Sequence, residues 1–274
     1  MNNETSSSVV KKPFHWWLWG ILLVAILVSV ILVTPYSLTL QASSLQNAQL
    51  PLPLPILLPL QWLQTTVLYG IIAAIGLVLA SRIGLGLPFL ESWLAGKANW
   101  ALVRKYLVPA IIAGLLAGAM IVALDAVVFA PRLAAEVAQT GQTTSLAAPA
   151  WQGFLASFYG GITEEILLRL FVLSLSAWIF RFVNRSAEGR PGLMALWSAN
   201  ILTAILFGLG HLPITAAAGL PMDALVITRA ILLNGLAGIL FGWFYWTFGL
   251  EAAMVSHFSA DIVLHVLMPL LAGR

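Results

Sequence analysis

Runs of eighteen or more residues with almost no charge recur from one end of this chain to the other, and nothing else constrains its folding as much. A helix needs about 20 apolar residues to cross a bilayer. "WWLWGILLVAILVSVILV" (16–33) is one such run, and others fall near 62–81, 107–130, 151–181, 193–212, 224–247 and 250–271. Backbone N–H and C=O groups in hydrocarbon must be satisfied within their own segment. The expected fold is therefore all-α, a polytopic transmembrane helix bundle of about seven spans. A transmembrane barrel would show short alternating segments, which are absent. Only 8% of the residues are charged and 61% are hydrophobic, whereas a soluble domain carries roughly 25% charge. A soluble core is excluded, and the net charge of +3 is too small and too dispersed to point to nucleic acid.

Loop charges give the expected orientation. The N-terminal tail carries Lys11 and Lys12, the second loop Arg82, Lys97, Arg104 and Lys105, and the fourth Arg181, Arg185 and Arg190. The connections 36–61 and 213–223 carry no positive charge, and 131–150 carries only Arg132. The positive-inside bias places the N-terminus in the cytoplasm and, with seven spans, the C-terminus outside. The first span is longer than a usual signal-peptide core and reads as an uncleaved helix. Two segments could raise the count to eight: proline-rich "PLPLPILLPL" (51–60), read as an extended or re-entrant piece, and 83–98, read as a short interfacial helix. Residues 1–150 read as N-terminal transmembrane helices and loops, and 151–274 as the helices that carry the chemistry, within one membrane domain. The close glycines of "GLLAG" (114–118), and Gly235, Gly238 and Gly242, read as helix packing.

Ionisable groups inside such spans each cost at least about 2.5–3.5 kcal/mol at a helix centre unless paired or hydrated, which makes them functional candidates. They are Asp125, then Glu164, Glu165 and Arg169 within "GITEEILLRLF" (161–171), then His211, and finally His257, Asp261 and His265. Glu165 and Arg169 are four apart with the acid first, the better orientation for an ion pair. Glu164 points about 100° away and stays free for chemistry. His265 is expected to be surface or packing. Asp125, Arg229, Asn200 and Asn234 either line a cavity or bond across helices.

Two chemistries fit. In one, Glu164 is general base on a water that His211 also holds, while His257 with residue 261 stabilises the oxyanion. In the other, His211, His257 and a carboxylate such as Glu164 bind a divalent metal, zinc above all, which activates the water. The chain has no cysteine and no HExxH motif, so thiolate ligands and the two-histidine helix of soluble zinc proteases are absent.

In order along the chain, "EEILLR", "FGLGH" and "HFSAD" are EExxxR, FxxxH and HxxxD. This set resembles the CPBP family of intramembrane proteases, the CaaX prenyl endopeptidase and bacteriocin-processing group also called Abi, and "NGLAGILFGWFYWTFGLEAAMVSHFSAD" (234–261) resembles its glycine-rich helix. The likeness covers about 151–265. It implies a bundle enclosing a hydrated catalytic cavity, and hydrolysis of a peptide bond near the end of a membrane-associated substrate. On that pattern Glu164 and His211 activate water, His257 and Asp261 form the oxyanion site, and Glu165 and Arg169 support it. The family is described both as zinc-dependent and as glutamate-dependent without metal, and the glutamate route is favoured here. Asp261 stands where members carry Asn or Asp. An ionised Asp cannot donate to an oxyanion, so it would be protonated, orient His257 or ligate a metal. By analogy the cavity is expected to open to the cytoplasm. The expected partners are a peptide or protein substrate reaching the membrane and the lipid bilayer, in a plasma (inner) membrane. The competing readings are a non-catalytic immunity or scaffold protein on the same fold and an ion- or proton-coupled transporter.

One geometric demand accompanies this reading. His211 lies about 27 Å along its helix from residue 193 and His257 about 10 Å from residue 250, at 1.5 Å per residue, yet partners must meet at one depth.

Overall fold

A computed structural model describes residues 14–46, 49–140 and 148–274, with Lys11, Lys12 and 141–147 of the third loop outside that set. The described residues are overwhelmingly helical and contain one isolated bridge, Arg185 with Pro191, in the loop between the fourth and fifth expected spans. The helices are α1 (Trp16–Leu40), α2 (Leu54–Ile83), the short α3 (Pro88–Leu94) and α4 (Trp100–Leu124), which continues through a π turn at Asp125–Phe129 into Ala130–Thr140. Then come α5 (Ala150–Phe180), α6 (Leu193–Gly210, with a further turn at Leu212–Ala217), α7 (Ala224–Phe248) and α8 (Leu250–Leu271).

Among the described residues six helices are long and apolar enough to cross a membrane: Trp16–Leu40, Leu54–Ile83, Trp100–Ala135, Leu193–Ala217, Ala224–Phe248 and Leu250–Leu271. Between 28% and 39% of each apolar window is buried, so most of each helix faces outward, where lipid is the only cover that does not waste its apolar surface. The fourth expected span, α5, is the one outside these six, and it differs in winding. It runs as α-helix over Ala150–Phe158, as π turns over Tyr159–Glu164 and Ile166–Leu173, and as α-helix again over Ser174–Phe180.

Several boundaries move. The proline-rich 51–60 is not an extended or re-entrant piece, because α2 starts at Leu54. Pro53 precedes it and Pro55 falls in its first turn, where a missing N–H has no intrahelical acceptor to lose; Pro59 is accommodated inside. The first span runs on to Leu40 past Pro35, and the third begins at Trp100, capped by Asn99, whose Oδ1 accepts from Leu102 N at 3.1 Å. Segment 83–98 does form a short helix, α3.

The glycines pack as expected. A Cβ at Gly114 or Gly118 would meet the backbone carbonyls of Ser256 or Ala260, so α4 and α8 touch backbone to backbone. One at Gly242 would fall on Asn200, and one at Gly238 would lie 3.3 Å from Ala204, which seats α7 on α6. Gly249, at φ 103°, makes the sharp turn from α7 into α8, and Leu250 N then donates to Gly86 O at 3.0 Å. That bond ties the start of α8 to the loop after α2.

Candidate active site

The paired glutamates lie on the π-wound stretch of α5. Such turns widen a helix locally and are frequent at functional sites. Glu165 and Arg169 are fully buried, with Arg169 Nη1 3.0 Å from Glu165 Oε1. Arg169 Nη2 donates to Gly238 O at 3.0 Å, and its guanidinium lies 5.1 Å from the ring centroid of Phe207 and 5.4 Å from that of Phe241. The cation is therefore held by one carboxylate, one carbonyl and two aromatic faces.

The same Glu165 oxygen accepts from His257 Nδ1 at 2.7 Å. A carboxylate only accepts, so Nδ1 carries the proton and Nε2 is turned the other way. The imidazole is clamped by stacking on Phe241, centroids 4.5 Å apart and planes at 17°, with the edge of Phe207 at 5.5 Å. Its Nε2 faces two further carboxylates, Glu164 Oε2 at 3.8 Å and Asp261 Oδ1 at 3.7 Å. Glu164 has no closer ion partner and its side chain is 24% exposed, in contrast to its neighbour.

His257 is therefore oriented by Glu165 on α5, not by Asp261 one turn along its own helix. Asp261 stands beyond hydrogen-bond distance and continues the polar column outward, with Oδ1 3.9 Å from His265 Nε2. His265 is not idle surface, because its Nδ1 shares a 3.0 Å hydrogen bond with the hydroxyl of Tyr36 on α1. Tyr36 was missed as a member of this cluster, whereas His265 was named with His257 and Asp261 and read as surface or packing. The i, i+4, i+8 spacing from His257 was the available signal for His265, whereas Tyr36 has none in sequence.

Gly160 was missed as well. A Cβ there would fall on the Asp261 carboxylate and lie 3.1 Å from His257 Nε2, so α5 can approach α8 only with glycine at this position. The pair "GG" immediately before "ITEE" was the readable sign.

His211 stands apart. Its Nδ1 meets the carbonyl oxygen of Phe207 at 2.9 Å and must be the donor, which leaves Nε2 bare. No hydrogen bond or ion pair joins it to Glu164 or His257. The Phe207 ring lies between the two histidines, 4.9 Å from one and 5.5 Å from the other. Through Phe207 the two imidazole rings come within about 10 Å of one another, so the helices that start at Leu193 and Leu250 are staggered and the mismatch in depth counted along them does not persist.

The alternative ligand set His211, His257 and Glu164 does not come together in this arrangement. Among the described residues no three His, Asp or Glu side chains converge so as to hold one metal ion. His257 also spends Nδ1 on Glu165, which leaves only its Nε2 for any ligand. Asp125 is bound instead by Arg229 from α7 through two 2.7 Å hydrogen bonds, and Asn200 donates to Ile239 O at 2.9 Å; both bond across helices. Asn234 bonds within α7 to Ala230 O at 2.9 Å.

Residues 146–263 match the family model described as type II CAAX prenyl endopeptidase Rce1-like. The match covers less than half of the chain, and over it the chain is similar to that family. The Rce1-like stretch takes in Glu164, Glu165, Arg169, His211, His257 and Asp261, and ends just short of His265. It supports a CAAX-type intramembrane protease in general, and with the apolar helices it makes this a multi-pass membrane protein. Neither a curated protein nor a solved structure matches the chain.

Proposed function

We propose that this protein hydrolyses a peptide bond near the end of a membrane-associated substrate, with Glu164 as the general base. The observation that carries the reading is the division of labour between adjacent glutamates: Glu165 is consumed by Arg169 and His257, while Glu164 keeps a free, partly exposed carboxylate 3.8 Å from His257 Nε2. Glu164 takes a proton from water as the water oxygen adds to the scissile carbonyl carbon. The protonated Glu164 then gives that proton to the departing nitrogen as the C–N bond breaks, leaving a carboxylic acid and an amine.

The oxyanion needs a donor. Because Nδ1–H of His257 is committed to Glu165, Nε2 donates only in the imidazolium form. In this reading Asp261 supplies charge to that imidazolium and does not touch the oxyanion. The bare Nε2 of His211 accepts from the attacking water across the cavity. The bundle crosses a plasma membrane seven times, with α5 as the fourth crossing in chain order. Chain direction agrees, since Phe14 and His15 share one cleft with Arg82 and Arg181, while α8 ends at the other pole.

The test is cleavage of a peptide library by purified protein in detergent, wild type against Glu164→Gln, with and without a chelator. Cleavage that survives chelation and disappears in the variant is expected. Cleavage unaffected by Glu164→Gln removes the general-base role, and cleavage abolished by chelation and restored by zinc replaces this mechanism with a metal one.

A further inference from the structure

Burial around the glutamates is one-sided. Toward the start of α8 the site is sealed, because Leu170, Leu173, Phe241, Phe244, Tyr245 and Leu250 have essentially no exposed surface. In the other direction exposure rises. His257 and Asp261 are buried, Tyr36 and His211 are half-buried, and the side chain of His265 is 35% exposed. The polar column Glu165, His257, Asp261, His265 and Tyr36 thus climbs from a closed floor to the pole of the bundle where α1, α6 and α8 end.

The arginines lie at the opposite pole. Arg82 closes α2, Arg181 follows α5 and Arg190 precedes α6, and all three line one cleft of about 990 Å³ together with Gly249, where α8 begins. No ion pair engages any of them among the described residues. Lys97, Arg104 and Lys105 belong to the loop and first turns that join α3 to α4, at that same pole. At the mouth pole the connection 213–223 has no positive charge. A positive-charge excess of this kind marks the cytoplasmic side.

We infer that the site is entered from the non-cytoplasmic face, and that its substrate is a peptide segment presented at the outer leaflet after export. This rests on the hydrolytic reading above and replaces the cytoplasmic opening expected by analogy. Entry from the arginine pole would require a passage through the sealed floor of Phe241, Phe244 and Leu173.

The absence of cysteine makes the test direct. Single-cysteine variants in sealed spheroplasts of an expression host are exposed to a membrane-impermeant maleimide, before and after permeabilisation. Met222→Cys, 42% exposed in the wild type and in the mouth-pole loop, reports one face, and Glu188→Cys in the arginine-rich loop reports the other. Glu164→Cys reports the site, with His265→Cys as a second reporter should the first fail to accumulate. Labelling of Met222→Cys and the site cysteine before permeabilisation, and of Glu188→Cys only after it, is expected. A site cysteine that labels only together with Glu188→Cys, or from neither face, overturns the inference. So does a chain in which Glu188→Cys is the outward one. Labelling reads access whether or not anything is hydrolysed, so cleavage by the purified wild type separates failure of sidedness from failure of the protease reading.

Discussion

Changing Glu165 to Gln, next to the same change at Glu164, separates structural from chemical use of two adjacent and chemically identical side chains. Glu165 is fully buried and its Oε1 faces both Arg169 and His257. Glu165→Gln keeps an acceptor for His257 Nδ1 but leaves the Arg169 cation buried without its counter-charge. Breaking a buried ion pair from one side costs about 3–5 kcal/mol. The Gly238 carbonyl and the Phe207 and Phe241 rings still hold the guanidinium, which puts the expected loss near the lower end, about 3 kcal/mol or roughly a hundredfold in the folding equilibrium. Glu164→Gln removes a carboxylate with no ion contact closer than 3.8 Å and a partly exposed side chain, and should shift stability by less than about 1 kcal/mol. The assay is reversible unfolding in mixed micelles with rising denaturing-detergent fraction, followed by tryptophan fluorescence. Adding Arg169→Met to Glu165→Gln retires the unpaired charge and should recover most of the loss. If Glu165→Gln unfolds no earlier than Glu164→Gln, or if Arg169→Met fails to rescue it, the division of labour between the two glutamates is wrong.

Gly160→Ala would push a methyl group into the Asp261 carboxylate and toward His257 Nε2, and should lower cleavage on the order of 10²-fold through displaced site groups. Gly161→Ala is the control, because its Cβ would meet Phe258 at 3.0 Å and not the carboxylates; peptide turnover should suffer far less at a similar loss of stability, about 1–3 kcal/mol. Arg229→Ala should destabilise by no more than about 1 kcal/mol and leave turnover intact, since the Asp125–Arg229 pair is 26% exposed on both sides and screened accordingly. Loss of turnover on Arg229→Ala without unfolding would move that pair into the site.

Much of the site was legible because its members sit in three short motifs whose internal spacing is a local property. The i, i+4 relation of Glu165 and Arg169 needs only a helix to become an ion pair, and it does so even on π-wound backbone. His265 was read as surface or packing from its place near a helix end, and what that place alone does not tell is which neighbour arrives there; Tyr36 of α1 does. The proline-rich 51–60 was misjudged for a related reason, since prolines forbid helix interiors far more than helix starts.

The sequence by itself determined the class of fold, because uncharged runs of that length have no alternative to helices in lipid, and it named the ionisable residues that such runs do not otherwise tolerate. The tertiary structure decided how those residues are shared out. Whether His257 turns to Asp261 or to Glu165 depends on how closely α8 approaches α5, which the bare backbone of Gly160 permits. Whether His211 reaches His257 depends on the relative depth of α6 and α8, where Phe207 ends up between them. These are distances between helices far apart in the chain, fixed by side-chain volumes at their crossings, and no local spacing encodes them.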